Sequence, residues 1–161
     1  MKFFNIPFLK KDLLDKNTLN YLTNLGNNIV DPPWTIRPFK FDDDHLLMID
    51  PILKLLPVTP MYVAVIMTPA NTICKTHIDN IGGRITAINI PLQVNNDKSF
   101  FEYMSDLNGD IVLERIKLDS TKCWAVNIPH RIDNSQYNKN RVVLSLSFKE
   151  TVQEMYDLFE I

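Results

Sequence analysis

The chain has 161 residues, which is enough for one domain with a substantial hydrophobic core. Its net charge of −2 gives no basic surface for a polyanion, so nucleic acid is not an expected partner, and no apolar run has the length of a membrane span. Two cysteines are too few for a disulfide framework and are typical of a reducing cytosol. We therefore expect a cytoplasmic protein. Its many Asn, Ile and Lys residues favour an AT-rich bacterial or viral genome, so the cytoplasm of a virus-infected bacterium is included.

Residues 1–60 are predicted to be a mostly helical N-terminal flank. A helix is expected over 16–25, because three leucines spaced three residues apart share one face. Three aspartates at 42–44 precede a second apolar segment. Carboxylates are favourable at the positive N-terminal end of a helix dipole, so we expect a helix to begin there. Pro51 suits the first turn of a further short helix.

From residue 61 the pattern changes to short runs rich in β-branched and aromatic residues, separated by clusters of turn-forming residues. Asn108-Gly109 is a strong hairpin signal between two of these runs. Strands at this spacing predict a mainly β core over 61–148, built as an antiparallel sandwich or barrel-like roll. The tail, 151–161, returns to helical spacing, so we predict a single domain over 1–161. The six runs are MYVAVIM, RITAINIPL, KSFFEYM, DIVLERIKL, KCWAVNI and RVVLSLSF.

A candidate metal site begins in the stretch CKTHIDNIGGR, where His77 and Asp79 stand two residues apart. In an extended segment such residues point to the same side, roughly 6–7 Å apart at the backbone. His130, at the end of KCWAVNIPH, can supply a third ligand. Two imidazoles and one carboxylate on one face of a metal leave other positions open, which is the ligand set of non-haem Fe(II) oxygenases. All three residues are therefore candidate catalytic and metal-binding residues.

Two arginines stand at the start of predicted strands. Alternation puts Arg141 and Ser145 on the face that points into the roll, where a lone guanidinium is costly unless it meets an anion. The planar fork of arginine binds carboxylates through two hydrogen bonds, as a dicarboxylate cosubstrate requires. By the same parity argument, Arg84 is expected to share a face with Thr86 and Ile88.

The order H-x-D, R-x-x-A-x-N-x-P-L, a distal His and then R-x-x-L-S, over roughly residues 60–148, resembles the Fe(II)/2-oxoglutarate-dependent oxygenases. Within that superfamily the chain is most similar to the aspartyl/asparaginyl β-hydroxylase group, which includes small bacterial and phage proteins. The resemblance implies a double-stranded β-helix, also called a jelly-roll or cupin-like core. It also implies iron held by His77, Asp79 and His130.

The same resemblance implies a set of residues that bind 2-oxoglutarate. Arg141 corresponds to the arginine that binds the distal carboxylate. Arg84 corresponds to the arginine that reaches the C1 carboxylate, with Thr86 assisting. The chain departs from many relatives in having Val143 where they have serine, so Ser145 is the nearest hydroxyl on that face. The animal aspartyl hydroxylases lack the carboxylate ligand that this chain has.

These patterns predict a hydroxylase that uses Fe(II), 2-oxoglutarate and O2 and releases succinate and CO2. The resemblance implies a substrate that is a small molecule or a side chain of a protein or peptide, with Asp, Asn or Pro first. One alternative is a cupin-like metalloenzyme that does not use 2-oxoglutarate, which leaves Arg141 without an anion. Another is a non-catalytic β-roll binding or structural module, in which the three ligand residues need not approach one another.

Overall fold

The computed structural model describes residues 1–29, 37–79, 81–109 and 111–161. Within these residues it has nine strands, four helices and two short 3₁₀ turns, and no helix has the length and apolar character needed to cross a membrane. The strands are β1 Phe3–Asn5, β2 Arg37–Lys40, β3 Tyr62–Thr68, β4 Thr86–Gln93, β5 Phe100–Met104, β6 Val112–Lys117, β7 Lys122–Ala125, β8 His130–Asp133 and β9 Arg141–Phe148. The helices are α1 Lys16–Asn27, α2 Asp43–Met48, α3 Asp50–Leu53 and α4 Val152–Phe159, and the 3₁₀ turns are Lys11–Leu13 and Ile81–Gly83.

Two antiparallel sheets form the β core. The larger sheet has the strand order β1-β7-β4-β9-β3-β2, and the smaller sheet has the order β6-β5-β8. Isolated bridges from Ile73 to Asp133 and from His77 to His130 lay the segment that follows β3 alongside β8. This segment therefore runs along the edge of the smaller sheet before the chain returns to the larger one.

The inner faces of the two sheets pack on each other through a buried apolar cluster. The larger sheet contributes Ala87 and Trp124, and the smaller sheet contributes Phe101, Tyr103 and Ile132. Such face-to-face packing of antiparallel sheets confirms the predicted mainly β jelly roll.

The outer face of the larger sheet is covered by the helices. Alternation along β9 places Val142, Leu144, Leu146 and Phe148 in one core cluster with Leu22 of α1 and Met155 of α4. Burying each of these large apolar side chains contributes about 1.5–3 kcal/mol. The other residues of β9 therefore point into the space between the two sheets, as the alternation predicts.

Local signals fix the helix ends. Asp15 caps α1, its carboxylate accepting a hydrogen bond of 2.8 Å from the amide of Thr18. Asp42 and His45 form a capping box at the start of α2, so the aspartate run acts as a helix start, as predicted. The flanking helices of the predicted fold are therefore confirmed.

The description of residues 1–60 as mostly helical is incomplete, because β1 and β2 join the larger sheet there. β1 pairs with β7 and β2 pairs with β3, so both strands depend on partners elsewhere in the chain. The predicted run KCWAVNI ends as a strand at Ala125, and β8 begins only at His130. Strands of three or four residues have too few alternating positions to be detected by periodicity.

Candidate metal centre

The backbone brings the three predicted ligand residues together. The amide of His77 donates to the carbonyl of His130 at 2.9 Å, and the amide of His130 donates to the carbonyl of His77 at 3.0 Å. The amide of Asp79 donates to the carbonyl of Val126 at 2.8 Å. These hydrogen bonds tie the segment that carries His77 and Asp79 to both ends of the link between β7 and β8.

The side chains of His77, Asp79 and His130 converge on one point. One ligand atom from each lies within 4.8 Å of the others. Nε2 of His77 is 3.5 Å from Oδ1 of Asp79, and Nε2 of His130 is 3.6 Å from Oδ2. The three side chains thus lie close together, as the sequence predicts. The non-catalytic alternative, in which they need not approach one another, loses its main argument.

Hydrogen bonds orient both imidazoles for metal binding. Nδ1 of His77 is 2.8 Å from the carbonyl oxygen of Lys75, and Nδ1 of His130 is 2.8 Å from that of Ile128. Because a carbonyl only accepts, each Nδ1 carries a hydrogen, and each Nε2 points toward Asp79. Both Nε2 atoms and the carboxylate therefore face one point that a cation can occupy.

The protonation states also fit a metal ion. Burial lowers the pKa of His77 below its ordinary value, and the neighbouring His130 adds to this effect. Burial alone would raise the pKa of Asp79, but contact with His130 and the positive charge of Arg84 outweigh it and hold the pKa below its usual range. At neutral pH the site therefore offers a neutral imidazole and a carboxylate, the forms that bind metal.

The three residues line a cavity of about 600 Å³ between the two sheets. Arg141 also lines this cavity and is 2% exposed, while Nε and Nη2 of its guanidinium have no hydrogen-bond partner among the described residues. Burial lowers the pKa of Arg141 to about 10, which leaves it positively charged at neutral pH. A buried cation without a partner is costly, so the cavity is suited to an anion.

A buried threonine stands beside this arginine and was missed from sequence. Thr68 is directly opposite Arg141 in the register of β3 and β9, so the two side chains lie on the same face. Its Oγ1 is buried and makes no hydrogen bond in the described part of the chain. Thr68 therefore supplies a hydroxyl near Arg141. Val143, which stands where many relatives have serine, cannot supply one. Alternation along β3 predicts its inward direction, but only the register shows its neighbour.

Arg84 lies at the metal end of the cavity. Its Nη1 is 3.3 Å from Oδ2 of Asp79, and its Nη2 donates to Oγ of Ser145 at 3.4 Å. The parity argument that grouped Arg84 with Thr86 and Ile88 is wrong, because β4 begins only at Thr86. Before it, Gly82 and Gly83 adopt positive φ angles of 66° and 82° and redirect the chain.

Thr86 is placed away from the cavity, which contradicts its expected contact with 2-oxoglutarate. It pairs in register with Phe148, whose side chain packs beneath the helices, so Thr86 points to the outer face of the larger sheet. Asn89 is an inward residue of β4 that lines the cavity, and its buried Oδ1 has no partner in the described residues. Asn89 belongs to the R-x-x-A-x-N motif but was not singled out from sequence.

The donor set fits Fe(II), because two imidazole nitrogens and a hard carboxylate oxygen leave coordination positions open toward the cavity. The unpaired Arg141 and Thr68 fit the free carboxylate of 2-oxoglutarate, and Arg84 is a second cation at the metal end. Cys74 is a poor ligand candidate because burial raises the pKa of its thiol to about 11, and its Sγ accepts a hydrogen bond from the amide of Ile132. The site thus fits iron and a dicarboxylate together.

Neither protein-family models nor curated proteins match this chain in sequence. Solved structures match it in fold. An oxidoreductase of the 2OG-Fe(II) oxygenase family from Burkholderia pseudomallei has a TM-score of 0.57 at 10% identity, covering 91% of this chain and 84% of that one. The 2OG complex of a viral collagen prolyl hydroxylase from Paramecium Bursaria Chlorella virus-1 has a TM-score of 0.58 at 10% identity, covering 91% and 95%. A prolyl-4-hydroxylase from Pseudomonas putida has a TM-score of 0.51 at 13% identity, covering 92% and 91%.

These similarities establish that the chain has the jelly-roll fold of 2OG-Fe(II) oxygenases. At 10–13% identity they concern the fold alone. Two of the three structures are prolyl hydroxylases, and none is named as an aspartyl/asparaginyl hydroxylase. The comparisons therefore give no support to the predicted aspartyl/asparaginyl group.

Proposed function

We propose that the protein is an Fe(II)- and 2-oxoglutarate-dependent oxygenase that hydroxylates its substrate. The observation that carries this proposal is the convergence of His77, Asp79 and His130 in a cavity that also holds Arg141, whose Nε and Nη2 have no partner in the described part of the chain. When bound, iron and 2-oxoglutarate would supply an O2-dependent oxidation in which 2-oxoglutarate is converted to succinate and CO2.

Each residue of the site has a separate task in this proposal. His77, Asp79 and His130 hold the metal. Arg141, with the hydroxyl of Thr68, binds the distal carboxylate of 2-oxoglutarate and so fixes its orientation. Arg84 is held near Asp79 and Ser145, where it offers a positive charge to the C1 carboxylate.

The apolar walls of the cavity limit the access of water to its buried end. Apolar side chains from both sheets surround the polar groups, and exclusion of water strengthens each electrostatic contact inside. The apolar lining residues are Pro38, Met61, Ile66, Phe101, Val126, Ile132 and Val143.

The charge of the cavity favours a neutral or acidic substrate side chain. Among the lining residues that the structure describes, Asp79 is the one acidic residue, and the proposed metal would occupy it. Lys75, exposed on the same segment as the ligands, adds a positive charge to those of Arg84 and Arg141. A cationic substrate would meet these charges without a counterion. An Asp, Asn or Pro side chain of a protein, including the reaction of the aspartyl/asparaginyl group, remains our first proposal for the target, in the cytoplasm.

The proposal is tested by succinate formation from 2-oxoglutarate with Fe(II) and O2, in the presence of peptides, free amino acids and nucleotides. Peptides with Asp, Asn or Pro should stimulate succinate release more than the same peptides with Lys at that position. His77→Ala or Asp79→Ala should reduce turnover by at least about a hundredfold, because loss of a ligand removes the metal.

The matched control is His45→Ala, which removes a histidine of α2 that does not line the cavity. Its turnover should equal that of the unmodified protein. Unchanged turnover in His77→Ala would contradict the proposal. Product formed equally well without 2-oxoglutarate would favour the cupin-like alternative instead.

A further inference from the structure

Three aromatic rings stack in a column that ends at one of the ligand residues. The imidazole of His130 lies parallel to the ring of Phe101, with centroids 5.0 Å apart and an interplanar angle of 9°. On its other side, Phe101 lies parallel to Trp124, with centroids 4.3 Å apart and an angle of 10°. All three side chains are buried, and the column crosses from the smaller sheet to the larger one.

This column restricts a motion that the hydrogen bond of His130 leaves free. The contact from Nδ1 to the carbonyl of Ile128 fixes one point of the ring, but the ring could still tilt about that point. The flat face of Phe101 opposes such a tilt, and Trp124 holds Phe101 from behind. The direction of the Nε2 lone pair is therefore set by packing as well as by hydrogen bonding.

The stack also has the right electronic character for a ligand. A divalent cation bound at Nε2 draws electron density from the imidazole, and an electron-poor ring is favoured over the π face of a phenyl ring. His77 has no such parallel stack among the described residues. Its ring contacts the ring of His130, and the two planes are tilted by 57°. Within the described residues, aromatic support is thus concentrated on His130.

We propose that Phe101, backed by Trp124, is a positioning residue that orients His130 for metal binding. This inference rests on the proposed metal centre. It does not require Phe101 to touch metal, cosubstrate or substrate. It gives a second function to a phenylalanine that also forms part of the apolar wall of the cavity.

The test compares Phe101→Leu with Phe148→Leu in the full-length protein, using Co(II) as the metal. Both changes remove a buried ring and keep an apolar side chain, but Phe148 belongs to the cluster beneath the helices. Phe101→Leu should weaken Co(II) binding by about tenfold, which is the typical effect of removing a group that orients a ligand. It should also shift the visible absorption spectrum of the bound Co(II).

Phe148→Leu should lower the midpoint of thermal unfolding but leave the Co(II) affinity and spectrum unchanged. Phe101→Tyr retains the ring and should restore both. A Phe101→Leu protein with the affinity and spectrum of the unmodified protein would overturn the inference, as would an equal loss of affinity in Phe148→Leu. If the unmodified protein binds no Co(II), the proposed metal centre itself is wrong, which is a distinguishable result.

Discussion

The ligand residues illustrate how local spacing and long-range register contribute differently to a site. The spacing of His77 and Asp79 is visible in the sequence because an extended segment turns alternate side chains to one side. The distal position of His130 and the inward direction of Arg141 also followed from strand patterns. Thr68 and Asn89 were missed because their importance depends on which strands are neighbours.

The errors at residue scale have a common cause. Strand alternation extended over residues 84–92 groups Arg84 with Thr86 and Ile88 on one face, whereas the strand begins at Thr86. Side chains alternate between the two faces only inside a strand. Because β4 starts later than predicted, the direction predicted for Arg84, which precedes it, does not hold. Arg84 reaches the cavity from the preceding turn, and Thr86 faces the helices.

Because the two threonines face different sides of the sheet, the same substitution should affect 2-oxoglutarate binding at one of them and not at the other. Thr68 and Thr86 are both fully buried, but Thr68 lies opposite Arg141 in the register of β3 and β9, whereas Thr86 points to the outer face of the larger sheet. Thr68→Val should raise the 2-oxoglutarate concentration required for half-maximal turnover by at least about tenfold, because one hydrogen bond to a charged group contributes about 1.5–3 kcal/mol. Steady-state kinetics at varied 2-oxoglutarate measure this effect.

Thr86→Val is the matched control and should leave that requirement unchanged. Iron affinity should be unaffected in both variants, since neither residue is near the ligand atoms. An equal rise in the two variants would show that the effect comes from packing of the sheet and not from the cosubstrate.

At the scale of elements, the longer strands and helices could be predicted and the shortest ones could not. α1, β3, β4, β9 and α4 have enough residues for their period to be visible. β1, β2 and β8 have three or four residues each and exist because of partners elsewhere in the fold. β8 also has a partly buried ion pair with β5, in which Nε of Arg131 donates to Glu102 at 2.6 Å.

The contact of α1 with the larger sheet depends on a glycine. A Cβ at residue 26 would overlap Cγ1 of Val142 and lie only 2.9 Å from Cγ1 of Val65. Gly26→Ala should therefore destabilise the fold by about 1–2 kcal/mol, although alanine is intrinsically the better helix former by about 1 kcal/mol. Chemical denaturation measures the change in the free energy of unfolding.

A double-mutant cycle identifies the cause. In a Val142→Ala background the cost of Gly26→Ala should shrink, because one of the two crowded methyl-bearing side chains is gone. An unchanged cost in that background would show that helix packing on β9 is not what requires glycine at this position.

At the scale of the whole molecule, the cavity exists because two sheets of different size face each other. Helices cover the outer face of the larger sheet, so its inner face is free to present Thr68, Asn89 and Arg141 to the space between the sheets. The smaller sheet and the segment beside it bring the three ligand residues to the same space. A metal-binding set and an anion-binding set therefore open into one cavity, which is the arrangement that a cosubstrate linking metal and arginine needs.

The most direct test of this account is anaerobic titration of the purified protein with Fe(II), followed by addition of 2-oxoglutarate. We expect one iron per chain and a visible charge-transfer absorption when 2-oxoglutarate is added, with both signals lost in His130→Ala. Absence of bound iron, or iron bound equally well by His130→Ala, would contradict the claim that His77, Asp79 and His130 share one metal ion.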